Sequence, residues 1–126
     1  MHEMGIIIHL SRTLDKVAEE NRLKKIGSVT IRIGEVSGIV TDLFQDAWDY
    51  FTKEHPVLSG SKLIIEPIEA VTHCDGCGRN YETIKHGRIC PYCGSKETWL
   101  IKGNECIIKE IEAESTDDPD GREEDA

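Results

Sequence analysis

Apolar residues recur at spacings of three and four from the start of the chain. Ile7, Leu10, Leu14 and Val17 form one face, and Arg12, Asp15, Lys16, Glu19 and Glu20 form the other. That period predicts an amphipathic helix. It is expected to end before Gly27, with Arg22, Lys24 and Lys25 placed where cations complement the negative end of the helix dipole. Val29, Ile31 and Ile33 then alternate with Thr30 and Arg32, the period of a half-buried strand closed by Gly34. A second helix is expected from Asp42, its cap, with Gln45 at the third helical position; Leu43, Phe44, Ala47, Trp48 and Phe51 make its apolar face, and His55-Pro56 stops it. Leu63 to Ala70 reads as a second strand, which lies at an edge or ends early because Pro67 cannot donate to a ladder. Glu105 to Glu112 reads as a third.

Between those last two strands the composition changes. From Gly76 to Gly103 there are five glycines, and the block has four cysteines and few aliphatic residues, too little apolar surface to fold without a cross-link or a metal. Cys74-Asp75-Gly76-Cys77 and Cys90-Pro91-Tyr92-Cys93 are two C-x-x-C knuckles separated by twelve residues, each followed by a glycine, Gly78 or Gly94. Paired thiolates on two tight turns suit tetrahedral zinc, and a closed four-sulfur shell leaves no open coordination position, so this zinc is expected to be structural. Disulfides, a redox-active pair and an iron–sulfur centre are the competing readings. His73 and His86 read as exposed loop histidines, His9 as a helix-surface residue, and Cys106 as a small core residue of the last strand. The fold class expected is α+β: two helices packed on a small three-stranded sheet, with an inserted four-cysteine, zinc-ribbon-like module. The domains expected are 1–71 with 104–114, then 72–103 as the inserted module, and 115–126 as a disordered acidic tail.

Charge sharpens this division. The 126 residues carry a formal −9, but residues 112 to 126 account for −7 of it, while 72 to 103 is +2. The tail has no large apolar residue and repels itself, which predicts disorder, as a solubilising or an interaction segment. No run of apolar residues is long enough to span a bilayer, and the first residues lack the features of a secretory signal, so the expected compartment is the cytoplasm and no membrane partner is expected.

The amino terminus adds a second candidate site. The amine of Met1, the backbone nitrogen and imidazole of His2, and the backbone nitrogen or carboxylate of Glu3 can close fused chelate rings around one ion. A flat, nitrogen-rich set favours Ni(II) or Cu(II) over zinc. The competing reading is a solvated helix start, with Glu3 complementing the dipole.

Taken together, Met1-His2-Glu3, the run Ile33-Gly34-Glu35-Val36-Ser37-Gly38, the pairs Cys74-x-x-Cys77 and Cys90-Pro91-x-Cys93-Gly94-Ser95, and the ending Gly103-Asn104-Glu105 with Ile111-Glu112-Ala113-Glu114 resemble the HypA/HybF family of hydrogenase nickel-incorporation proteins. The similarity covers residues 1 to about 114 in order and spacing. It implies a non-enzymatic nickel metallochaperone that, with a HypB-type GTPase, supplies Ni(II) to the large-subunit precursor of [NiFe]-hydrogenase. It also implies nickel at Met1, His2 and Glu3, and structural zinc at Cys74, Cys77, Cys90 and Cys93. Some relatives also serve urease, which leaves urease maturation proteins open as partners. The alternative from another class is a zinc-ribbon nucleic-acid-binding module, supported by the +2 segment with Tyr81, Tyr92 and Trp99. A zinc hydrolase lacks a site with an open coordination position.

Overall fold

The structure is a computed structural model, and it describes residues 3–115. Met1, His2 and the acidic segment from Thr116 onward lie outside the described residues, so the readings placed there find no structural counterpart. The chain divides into two compact units, one drawing on the residues up to Thr30, Val40–Ile64 and the chain from Ile108, the other on Ile31–Ile39 and Ile65–Ile107.

In the first unit, helix α1 spans Glu3–Glu20 and buries Ile7, Leu10, Ser11, Leu14 and Ala18. The stripe steps four residues from Leu14 to Ala18, so Val17 is only half-buried. Ser11 is accommodated because its hydroxyl donates to the Ile8 carbonyl at 2.7 Å. The helix ends earlier than the sequence suggests. Asn21 donates through both its backbone N and its side-chain Nδ2 to the Val17 carbonyl, and Arg22 turns the chain with a left-handed φ of 54°. Lys24 and Lys25 therefore belong to the next strand and not to a helix end, and no base lies in the last turn of α1.

Strand β1 runs over Leu23–Gly34, twice the length the alternation indicates. Its polar residues Ser28 and Thr30 are buried along with Val29, Ile31 and Ile33, because β1 is the central strand of a sheet ordered β2-β1-β6, with β2 at Lys62–Ile68 and β6 at Cys106–Ser115. Ser28 finds a partner in the Glu112 carboxylate at 2.8 Å. Pro67 lies in β2, which is an edge strand as expected.

Helix α2 spans Thr41–Thr52. Its N-cap is Val40 and not Asp42, with no side-chain cap, and Gln45 donates forward to Asp49 at 3.2 Å instead of closing a capping box. The Val40 N–H is held instead by the Glu3 carboxylate oxygen Oε2 at 3.2 Å. Phe44, Trp48 and Thr52 are buried against α1 and the core, and Trp48 Nε1 donates to the Ser61 carbonyl at 3.0 Å. Leu43, expected on that face, is 53% exposed.

The second unit holds a sheet the sequence did not reveal: β3 (Val71–Cys74), β4 (Asn80–Glu82) and β5 (Thr98–Lys102), ordered β4-β3-β5 and antiparallel, with the one-turn helix α3 at Thr83–His86. Strands of three to five residues carry too little periodicity to be read. In the same unit the glycine-rich run after β1 meets the turn before β6. Gly34 N donates to the Glu105 carbonyl and Val36 N to the Gly103 carbonyl, both at 2.8 Å, and Ala70 N donates to the Glu35 carboxylate at 2.7 Å. Removing that acceptor by Glu35→Ala is expected to cost about 1 kcal/mol, because the group is solvent-accessible and water replaces part of the bond. Urea unfolding of the two proteins measures it. The fold is thus α+β with small three-stranded sheets.

Candidate metal centre

The four knuckle cysteines converge. Cys74 ends β3, Cys77 closes the turn after it, and Cys90 and Cys93 bracket the turn that leads toward β5. Their sulfur atoms all lie within 4.8 Å of one another, with close approaches between the knuckles, Cys74 to Cys93 at 3.6 Å and Cys77 to Cys90 at 3.7 Å. Sulfurs at the corners of a tetrahedron with metal–sulfur distances near 2.3 Å stand roughly 3.8 Å apart, so the spacing fits one ion. All four are free thiols, and neither close pair is within bonding distance.

Backbone contacts hold this geometry. Cys74 N donates to the Arg79 carbonyl, Gly78 N to the Cys74 carbonyl, Gly94 N to the Cys90 carbonyl and Cys90 N to the Ser95 carbonyl, at 2.8 to 3.0 Å. Gly78 and Gly94 have φ near +77° and +75° with open space where a Cβ would stand. Their requirement is therefore the left-handed turn, not room beside the sulfurs. Gly76 is the glycine whose Cβ would collide, with Ser95 at 2.9 Å. Tyr92 N donates to the Cys90 sulfur at 3.4 Å.

Without a cation the cluster spreads the acidity of its thiols. Burial raises the Cys90 thiol, but the N–H groups of Cys93 and Tyr92 and the neighbouring thiols outweigh it and bring it down to about 7. The Ser95 N–H favours the Cys93 thiolate, yet the Cys74 thiol, burial and the other two cysteines push Cys93 up to about 12. Four negative charges cannot share so small a volume alone; a divalent cation removes the repulsion and lets all four sulfurs ionise.

Other polar residues brace the site. His73 sits on β3, half-buried and not in a loop, with Nδ1 against Asn80 Oδ1 at 2.6 Å and its ring 5.4 Å from that of Trp99. Trp99 Nε1 donates to Asp75 Oδ1 at 3.1 Å, and the Arg79 guanidinium lies over Tyr92 at 4.9 Å. Asp75, Ser95, Arg79 and Trp99 are functional support that sequence reasoning missed, since nothing in their spacing announces the contacts. His86 is exposed on α3, and neither it nor His73 joins the sulfur cluster. Cys106 is half-buried, with its thiol raised by burial, and also stands apart. Of the amino-terminal set, Glu3 alone is described: it opens α1, with Oε2 turned to Val40 N. His9 is exposed along the same helix.

Fold and site together define a small α+β metal-binding protein with one four-cysteine centre. Its first 113 residues match the family described as hydrogenase/urease nickel incorporation, metallochaperone, hypA, and the chain belongs to that family. It is similar to the hydrogenase maturation factor HypA of Aquifex aeolicus strain VF5, 33% identical over 114 residues that cover 90% of this chain and 98% of that protein. It is likewise 32% identical to the HypA of Dehalococcoides mccartyi (ATCC BAA-2266) over 90% of this chain and 95% of that one. The solution structure of the Ni metallochaperone HypA from Helicobacter pylori superposes with a TM-score of 0.70 at 27% identity, covering 91% of this chain and 99% of that one.

These relations do not favour the nucleic-acid alternative. Of the three aromatic residues, Tyr81 is buried with its hydroxyl on the Gly87 carbonyl, while Tyr92, under Arg79, and Trp99, which donates to Asp75, stay exposed. Among the described residues no helix is long and apolar enough to cross a membrane.

Proposed function

We propose that this chain acts in hydrogenase maturation by carrying Ni(II) at its amino terminus, on the amine of Met1, the backbone nitrogen and imidazole of His2, and a fourth donor from Glu3. The observation that carries the reading is the placement of Glu3. It stands in the first turn of α1, and its carboxylate oxygen Oε2 already accepts from Val40 N. This supports the Glu3 backbone nitrogen over its carboxylate as the fourth donor. An anchored third residue also suits a carrier, which must hold its ion yet exchange it with an acceptor.

In this reading Cys74, Cys77, Cys90 and Cys93 hold Zn(II), whose preference for tetrahedral thiolates matches the sulfur spacing. The zinc module is 72–103, and nickel carriage belongs to 1–71 with 104–114. A saturated sulfur shell offers no coordination position for substrate, so the protein is a carrier and not an enzyme. Its partners are a HypB-type GTPase, the [NiFe]-hydrogenase large-subunit precursor and, as a second client, urease maturation proteins; its compartment is the cytoplasm.

The test is nickel affinity against pH. The imidazole and amine must lose protons to bind, so affinity is high above the ordinary histidine pKa of about 6.5 and falls as pH drops through it. Competition titrations at pH 7.5 and 5.5 are expected to show a clear loss at the lower value. Equal affinity at both would exclude these donors.

A further inference from the structure

A cleft of about 780 Å³ lies wholly within the second unit, over one face of β3 and β5, and is of the size that holds a ligand or a chain end. Thr72 and Leu100 are register partners and share that face, and Thr98 returns to it two residues along. Arg88 is held at the Thr98 end, because Thr98 Oγ1 donates to the Arg88 carbonyl at 2.8 Å, and Lys96 precedes Thr98 by two residues. Both bases line the cleft and both are exposed. Among the described residues neither side chain has an ion-pair or hydrogen-bond partner, the knuckle sulfurs included. No carboxylate lines the cleft; Glu97 stands outside it. Away from the bases the lining turns apolar. Leu100 is half-buried, Ile84 on α3 is 61% exposed, and Val36, whose N–H bonds the Gly103 carbonyl beyond Leu100, is 37% exposed. Two polar groups interrupt it. The Thr72 and Thr83 hydroxyls meet at 2.6 Å and use only one of their two hydrogens between them, which leaves the other to donate. Asn104 lines the cleft with a side-chain amide that has no partner among the described residues.

We infer that this cleft takes the carboxyl-terminal end of another protein, its free α-carboxylate between Arg88 and Lys96 and its last apolar side chains over Leu100, Ile84 and Val36. Charge supplies the argument for that occupant. Two unpaired cations at one end and an apolar lining beyond them complement an anion carried at the tip of an apolar chain. The spare hydroxyl hydrogen and the Asn104 amide meet the peptide groups that follow, which a fatty acid does not possess. A nucleic acid carries a charge on every nucleotide, whereas the cations here stand at one end only. A small inorganic anion would leave Leu100, Ile84 and Val36 uncovered. The acidic segment 115–126 of this chain has no large apolar residue to set on them. The inference does not depend on which atoms bind nickel, and its test contains none.

The probe is a short fluorescein-labelled peptide ending in Val-Leu with a free carboxylate, compared with a twin whose end is a carboxamide. Anisotropy with the full zinc-loaded chain at low salt is expected to show the acid binding at least about tenfold more tightly than the amide, with the gap narrowing as salt rises. Amide exchange is expected to slow over Thr83–His86 and Thr98–Lys102. Replacing both bases, Arg88→Gln with Lys96→Gln, is expected to abolish the preference for the acid with an unchanged circular dichroism spectrum, since both side chains are exposed and unpaired. Ile84→Ser, at an exposed position, is expected to weaken both peptides several-fold and to leave their ratio intact. Absence of binding by the acid into the millimolar range, equal affinity for acid and amide, or a preference that survives the double substitution would overturn the inference. So would decanoate or single-stranded DNA binding more tightly than the peptide and losing that binding in the double variant, since the cleft would then serve another occupant.

Discussion

Cys90→Ala is expected to abolish metal binding at the four-cysteine centre and to unfold the segment around it. The buried cluster there consists of Cys74, Tyr81 and Cys90, so two of its three members belong to the thiol cluster and little other apolar core holds the segment. In small zinc modules the binding free energy, on the order of 10–16 kcal/mol, is the folding free energy, and loss of one of four thiolates forfeits most of it. Native mass spectrometry is expected to show the bound metal falling from one ion per chain to none. Hydrogen exchange is expected to lose its protection over β3, β4 and β5 while α1 and α2 keep theirs. Cys106→Ala is the matched control: that thiol lies outside the cluster and its removal leaves the ion in place. A Cys90→Ala chain that retained both metal and protection would remove the centre from the account.

Gly34→Ala is expected to be the most damaging single-methyl change outside the cysteines. A Cβ at Gly34 would overlap the Gly103 carbonyl carbon and oxygen and stand 2.6 Å from the Asn104 nitrogen. These are backbone atoms, and the segment cannot yield easily because Gly34 N and Val36 N both bond across the same junction. Gly103 cannot turn aside either, since it has a φ of +123° and its own missing Cβ faces Ala70 at 2.5 Å. The expected cost is more than about 4 kcal/mol, the range reached when a packed backbone junction is forced apart. Gly27→Ala gives the contrast: the added methyl would meet only the Glu112 carbonyl, at 3.7 Å, and the change is expected to be neutral or stabilising by up to about 1 kcal/mol. Urea midpoints for the two variants measure the difference, and equal midpoints would refute the close approach.

The same junction shows where sequence reasoning reaches and where it stops. Ile33-Gly34-Glu35 and Gly103-Asn104-Glu105 stand out as family features, but nothing in either run says that the two glycines press together. Helical periodicity located α1 and the buried side of α2, because repeated contact with a core leaves a repeated mark on the residues. It misplaced the end of α1, where a non-glycine residue, Arg22, takes the left-handed position. It also misread the start of α2, whose N-cap N–H is satisfied by Glu3, thirty-seven residues away in the chain, and not by a local cap. Alternation underestimated β1 because a central strand buries both faces, so Ser28 and Thr30 carry no outward signal. That the four knuckle cysteines come together was legible in full, since thiol pairs at fixed spacing are a chemical requirement that survives any change of fold. The residues that brace them were not, because Asp75 with Trp99 and Arg79 with Tyr92 meet only after β3 and β5 have paired or the knuckles have closed.

Two chemically distinct metal sites on one chain are the heart of this account, and counting ions on intact protein addresses them together. Native mass spectrometry with zinc and nickel both supplied, on the unaltered chain, on His2→Ala and on a chain extended by one residue before Met1, separates the sites. One zinc is expected in all three, and one nickel in the unaltered chain alone. Nickel retained by both altered chains, or nickel lost together with zinc, would contradict it.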